Sequence, residues 1–133
     1  MKYKIVLFYL CSAIFLYGSD IFFYQNGKKI YLNELKTVTT FSTKSYDGSN
    51  INYFQTSSNQ TVGVTNEILL KTDIDINILL KKYNLILLKQ LTSTIYKVKV
   101  KNSNLIFDIA NQLYNDKMVK YAHPNFIKKI YHR

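Results

Sequence analysis

The sequence predicts an α+β protein: a ferredoxin-like βαββαβ unit of four antiparallel strands with two helices on one face, preceded by N-terminal β-hairpins. Three observations predict it. Two segments, starting at Ile76 and Ile106, repeat apolar residues at i, i+3, i+4 and i+7, the spacing of one helix face. "TIYKVKV" (94–100) alternates apolar and charged residues with period two, as a strand with one wet face does. Asn26-Gly27 lies between two β-prone runs, and both of its residues tolerate the positive φ of a tight hairpin turn.

The first nineteen residues stand apart from that plan. "MKYKIVLFYLCSAIFLYGS" opens on Lys2 and Lys4, continues in an uncharged apolar run, and exits through Gly18-Ser19, the layout of a secretory signal peptide. The apolar run is about 13 residues, short of the roughly 20 that span a bilayer. Export with cleavage is therefore expected, to a secreted or periplasmic location, with no stable membrane association afterwards. The residue before Cys11 is Leu10, which argues against lipoprotein processing. Cys11 is the sole cysteine, so its loss with the leader excludes disulfides, thiol catalysis and cysteine-ligated metal from the mature chain.

Residues 20–65 read as a hairpin arm. "IFFYQNGKKIYL" forms the first hairpin, a polar stretch follows with a weak turn at Asp47-Gly48, and "INYFQTSSNQTVGV" gives a second strand pair around Ser57 to Gln60. Asp47 and Ser49 are read as turn residues.

Residues 66–123 carry the βαββαβ order. "EILLK" (67–71) is a strand; Asp75 caps a helix bearing Ile76, Leu79, Leu80 and Tyr83, and Asn84 stops it in left-handed geometry. "LILLKQL" (85–91) and "TIYKVKV" pair as a hairpin. Ser103 or Asn104 caps the second helix, with Ile106, Ile109, Ala110 and Leu113 on its buried stripe, and "MVKYA" (118–122) is the last strand. Each right-handed crossover puts its helix on the same side of the sheet, which leaves the other face bare. Lys97, Lys99, Lys120 and Ala122 are expected on that bare face. Residues 124–133 are expected to leave the sheet as an extended tail, since Pro124 fixes its own φ and biases His123 toward extended backbone.

Composition removes several classes of function. Net charge is +10, falling to +8 once Lys2 and Lys4 leave with the leader. That balance invites nucleic acid, but Arg133 is the only arginine among 18 basic residues, so the bidentate fork that reads guanine and clamps phosphate is nearly missing. No nucleic-acid partner is expected. His123 and His132 are the only histidines and have no Asp and Ser spaced to build a triad, nor the clustering of a metal site. No cofactor, metal or catalytic residue is expected.

With the order of elements in place, particular words carry a resemblance. "GVTNEILLK", "KYNLILLKQL", "IFDIANQLYND" and "VKYAHPNF" resemble the N-terminal propeptide (inhibitor I9 type) of secreted bacterial subtilisin-like serine proteases, and "FYQNGKKIYL" is similar to the leading strand pair of its longer members. The resemblance spans nearly all of the chain after the leader and implies a non-catalytic domain. Such a domain docks its bare sheet face on the protease catalytic domain, with Lys97, Lys99 and Lys120 as candidate docking residues. It lays Ala122, His123, Pro124, Asn125 and Phe126 along the substrate groove, inhibiting the enzyme and assisting its folding. The family's catalytic words, Asp-Thr-Gly, His-Gly-Thr and Gly-Thr-Ser-Met, do not occur here. The chain is thus expected to act either free-standing or as the front of a split or truncated protease gene. The competing expectation is an exported ferredoxin-like adhesion domain of the cell envelope, and a third is an enzyme using His123.

Overall fold

A computed structural model describes residues 20–35 and 50–128. The leader with Cys11, the stretch holding Asp47, Gly48 and Ser49, and the last five residues with His132 lie outside the described residues. Strands β1 (Ile21–Gln25) and β2 (Lys28–Glu34) form the first hairpin. Asn26 at φ 50° and Gly27 at φ 75° supply its turn. Strand β3 (Asn52–Thr56) pairs antiparallel with β4 (Thr61–Lys71) across a turn in which Asn59 takes φ 61°.

Helix α1 (Ile76–Lys82) starts where the Asp75 carboxylate accepts the Asn77 N–H at 3.0 Å, and the chain leaves it through Asn84 at φ 54°. Strands β5 (Leu85–Gln90) and β6 (Ile95–Val100) make the next hairpin. A single 3₁₀ turn, Ser103–Leu105, then leads into α2 (Ile106–Asn115). The cap at this entry is Asn102, whose side chain accepts the Asn104 N–H, rather than Ser103 or Asn104. The extra 3₁₀ turn moves the capping position back by one residue. The last strand is β7 (Tyr121–Lys128).

The fold is α+β with one mostly antiparallel, curled sheet and two helices. Among the described residues the sheet has seven strands, not four. Strand β4 is its spine: β7 runs along one side, while β3 pairs with residues 61–64 and β6 with residues 67–71 on the other. The strand expected over 67–71 and the second half of the hairpin expected before it are therefore one element, and the boundary expected between residues 65 and 66 falls inside it. Thr65 and Asn66 read as a break in the apolar pattern. They mark instead a β-bulge, where β4 advances from Val64 to Ile68 while β7 steps only from Phe126 to Pro124.

The last strand lies three residues later than expected. Asp116 accepts the Met118 N–H on its carboxylate at 2.9 Å and the Val119 N–H on its carbonyl at 3.0 Å, and this Asx turn takes Met118 and Val119 out of the strand. Pro124 then sits inside β7 rather than ending it. Among the described residues, strand β7 has a ladder partner on one side only, and Pro124 lies beside the bulge, the two settings in which a sheet tolerates the missing N–H. Residues 124–128 therefore belong to the sheet and are not a tail.

One core joins the pieces. Ile68 and Leu70 of β4, Val98 and Val100 of β6, Leu85 and Ala122 meet Ile76 and Leu79 of α1 and Ile106, Ala110 and Leu113 of α2. Phe23, Leu32, Phe54, Val62 and Val64 extend the same cluster into the N-terminal strands. Ile109, expected on the buried stripe of α2, is only partly buried at its margin. The sheet curls so that β1 reaches back to β7, with the Phe23 and Phe126 rings 4.6 Å apart. Helix α2 fills the curl: Asn111 donates to the Phe22 carbonyl at 2.9 Å, and the Tyr114 ring stacks on Tyr24 at 4.4 Å. Buried Thr72 donates its hydroxyl to the Met118 carbonyl at 2.6 Å, tying the end of β4 to the turn before β7.

Candidate docking surface

Strand alternation sorts the side chains of the C-terminal strands into two faces. Opposite the helices, the register sets Glu67 beside Lys99, Leu69 beside Lys97 and Lys71 beside Ile95. On the other side of β4, Leu69 faces His123 and Lys71 faces Tyr121. The result is a sheet face with Leu69, Ile95, Tyr121 and His123 set among Lys71, Lys97 and Lys99. Lys97 Nζ lies 3.5 Å from Glu67 Oε2, and the Asn125 amide donates to the same oxygen at 2.8 Å. Tyr121 and His123 lie nearly parallel with centroids 5.8 Å apart, and the Phe126 ring is 6.3 Å beyond His123.

The expected site residues distribute unevenly over this surface. Lys97 and Lys99 point away from the helices. Lys120 does not join them: it precedes β7, and its ammonium pairs with Asp73 at 2.5 Å at the end of the sheet. Ala122, expected on the bare face, points into the core, because the strand's true start inverts its phase. Pro124 is buried as well. Phe126 packs on Phe23, leaving His123 and Asn125 as the members of the expected groove segment that reach the face. Leu69, Lys71, Ile95 and Tyr121 were missed, although the alternation through "EILLK" and "TIYKVKV" carried the signal for the first three.

A concavity of about 1140 Å³ runs along α2 between the β1–β2 hairpin and the end of α1. Asp20, Glu34, Asp108, Asn111, Tyr83 and Asp116 are on its walls. Six residues from such distant parts of the chain leave no local motif to read. Asp116 is already engaged: Lys82 donates to Oδ2 at 2.7 Å and the Tyr83 hydroxyl donates to the same oxygen at 2.5 Å. Lys82, then Tyr83, then the Met118 N–H hold its carboxyl down to about 2. Burial, with the bond to Asp116, pushes the Tyr83 hydroxyl up. This cluster latches the end of α1 to the end of α2.

Among the described residues, no three His, Cys, Asp or Glu side chains come together as a metal-ligand set. No described helix is long and apolar enough to cross a membrane. A scan against family models, a search of curated proteins and a search of solved structures each found no match.

Proposed function

We propose that the chain is an exported binding module that docks its open sheet face on a subtilisin-like serine protease, as inhibitor and folding assistant. In this reading β7, β4, β6 and β5, in that spatial order, form a ferredoxin-like unit with α1 and α2, and the N-terminal strands enlarge its sheet. The observation that carries the proposal is the face itself. Cations alternate with Leu69, Ile95 and Tyr121 on strands whose other side is sealed by both helices. A rigid platform of this kind suits docking, because its backbone is fixed before the partner arrives. The words of the sequence that resemble the propeptide family point to the same partner.

The groove contact differs from the one the resemblance implies. Placing residues 122–126 in a substrate groove would require β7 to leave β4 and withdraw Ala122 and Pro124 from the core. In this proposal the groove segment therefore begins after Lys128, and Tyr121 and His123 serve the docking face. The role is non-catalytic.

The test is inhibition of secreted subtilisin-like proteases by the chain lacking residues 1–19. The expected result is inhibition that fades with time as the module is consumed. A K71E/K99Q variant should bind about tenfold or more weakly, the effect of reversing one and removing another of the charges that steer and seat a partner. Lys99 becomes Gln rather than Glu because the register sets it beside Glu67, and Lys97 is left in place because it pairs with Glu67. Unimpeded proteolysis at inhibitor concentrations on the order of 10 μM, or equal inhibition by the variant, would overturn the proposal.

A further inference from the structure

Strand β5 is an open edge. Among the described residues it pairs with β6 alone, so one row of its backbone N–H and C=O groups has no ladder partner among them. Eight large apolar side chains are exposed among the described residues, and five gather here: Ile78 on α1, Ile86, Leu87 and Leu88 on β5, and Leu91 just after it, each 40–51% exposed. Scattered single apolar residues need no account, whereas a cluster beside unpaired backbone marks an interaction surface.

Charge decides what the surface takes. Helix α1 and strands β5 and β6 carry Lys81, Lys82, Lys89, Lys97 and Lys99 and no carboxylate of their own, while Lys82 and Lys97 pair with Asp116 and Glu67 of other elements. A second copy adding its own β5 would bring a second Lys89 to the edge, with no carboxylate on β5, β6 or α1 to offset it, and like charges across a strand pair are unfavourable. The bulge that leaves Leu88 without a partner on β6 further discourages long self-pairing.

We propose that the β5 edge binds an extended acidic peptide strand by main-chain addition. On the helix side, apolar residues of the peptide rest on Ile78 and Leu87, and on the opposite side its carboxylates face Lys89, which the register sets beside Lys97 of β6. Backbone pairing supplies affinity, and the alternation of apolar and acidic residues supplies selectivity. The β5 edge borders the face that carries Leu69 and Tyr121, but main-chain addition uses the β5 backbone, and the inference stands whether or not the protein binds a protease.

The experiment uses two labelled synthetic peptides, one alternating valine with glutamate and one alternating valine with lysine, titrated with the purified protein and followed by fluorescence anisotropy. The glutamate peptide should bind, protect β5 amides from hydrogen exchange, and weaken about tenfold with Lys89→Glu, a surface change that spares the core. Lys28→Glu in the distant hairpin should have no such effect. The lysine peptide should not bind. Absent binding of the glutamate peptide, equal weakening by Lys28→Glu, or binding without protection of β5 would each refute the inference. Sedimentation showing a dimer whose β5 amides are already protected would refute it too, and would make a second copy the occupant.

Discussion

Asp116 gathers more of the fold than any other polar side chain described. Its two carboxylate oxygens take Lys82, Tyr83 and the Met118 N–H, so one residue closes α1 against α2 and shapes the turn before β7. Its folded carboxyl lies at about 2, below the ordinary 3.8, so the folded state favours the charged form. The stability this contributes is fully present above about pH 4 and is lost as pH falls toward 2. Urea unfolding between pH 6 and pH 2 should therefore show an acid-side decline that Asp116→Asn makes shallower; identical slopes would remove the latch from the account. Nothing local in the sequence announced it, because Lys82 lies 34 residues from Asp116 and a lone Asp after a helix reads as a turn residue. Gly63 is a residue of the opposite kind, needed for what it lacks. A Cβ there would stand 2.8 Å from Ile51 Cγ2 and 3.2 Å from the Tyr53 ring, both buried. Gly63→Val should cost about 1–3 kcal/mol in thermal or urea unfolding, the usual range for overpacking. An unchanged midpoint would mean that β3 can move away from β4.

At the level of elements, α2 offers the sharpest comparison. Leu113 is fully buried and Ile109 only partly so, although the helical spacing treats them alike. Leu113→Ala should cost roughly 2–5 kcal/mol, and Ile109→Ala distinctly less, about 1 kcal/mol. Equal losses would place the buried stripe elsewhere. Strand β7 gives a second check, since ending the chain after Tyr121 deletes nearly all of it, including buried Ala122 and Pro124. Such a truncation should abolish cooperative unfolding, and a retained sharp transition would show that β7 is dispensable. The helices, the β1–β2 hairpin and the β5–β6 hairpin were legible because their periods and turn residues are local. The single span of β4 and the late start of β7 were not. Thr65 and Asn66 look like an interruption until β7 is seen to bulge past them, and Pro124 looks like a strand end until its place on a one-sided strand beside that bulge is known.

For the whole molecule, the open face follows from where the helices go. Both spend their apolar stripes on one side of the sheet, and the side left over gathers Lys71, Lys97, Lys99, Leu69 and Tyr121 from three strands. The sequence carried two of the three lysines and placed Lys120 wrongly, since the phase of β7 depends on the Asx turn made by Asp116. The curl that brings β1 to β7 was not legible at all, because it rests on contacts such as Phe23 with Phe126 that join the two ends of the described chain. Lysine-acetylation footprinting of the protein, free and mixed with an inhibited subtilisin-like protease, tests the docking claim most directly. The account predicts that Lys71 and Lys99 lose reactivity in the complex while Lys28 and Lys120 keep theirs; unchanged reactivity at Lys71 and Lys99, or protection confined to Lys28 and Lys120, would contradict it.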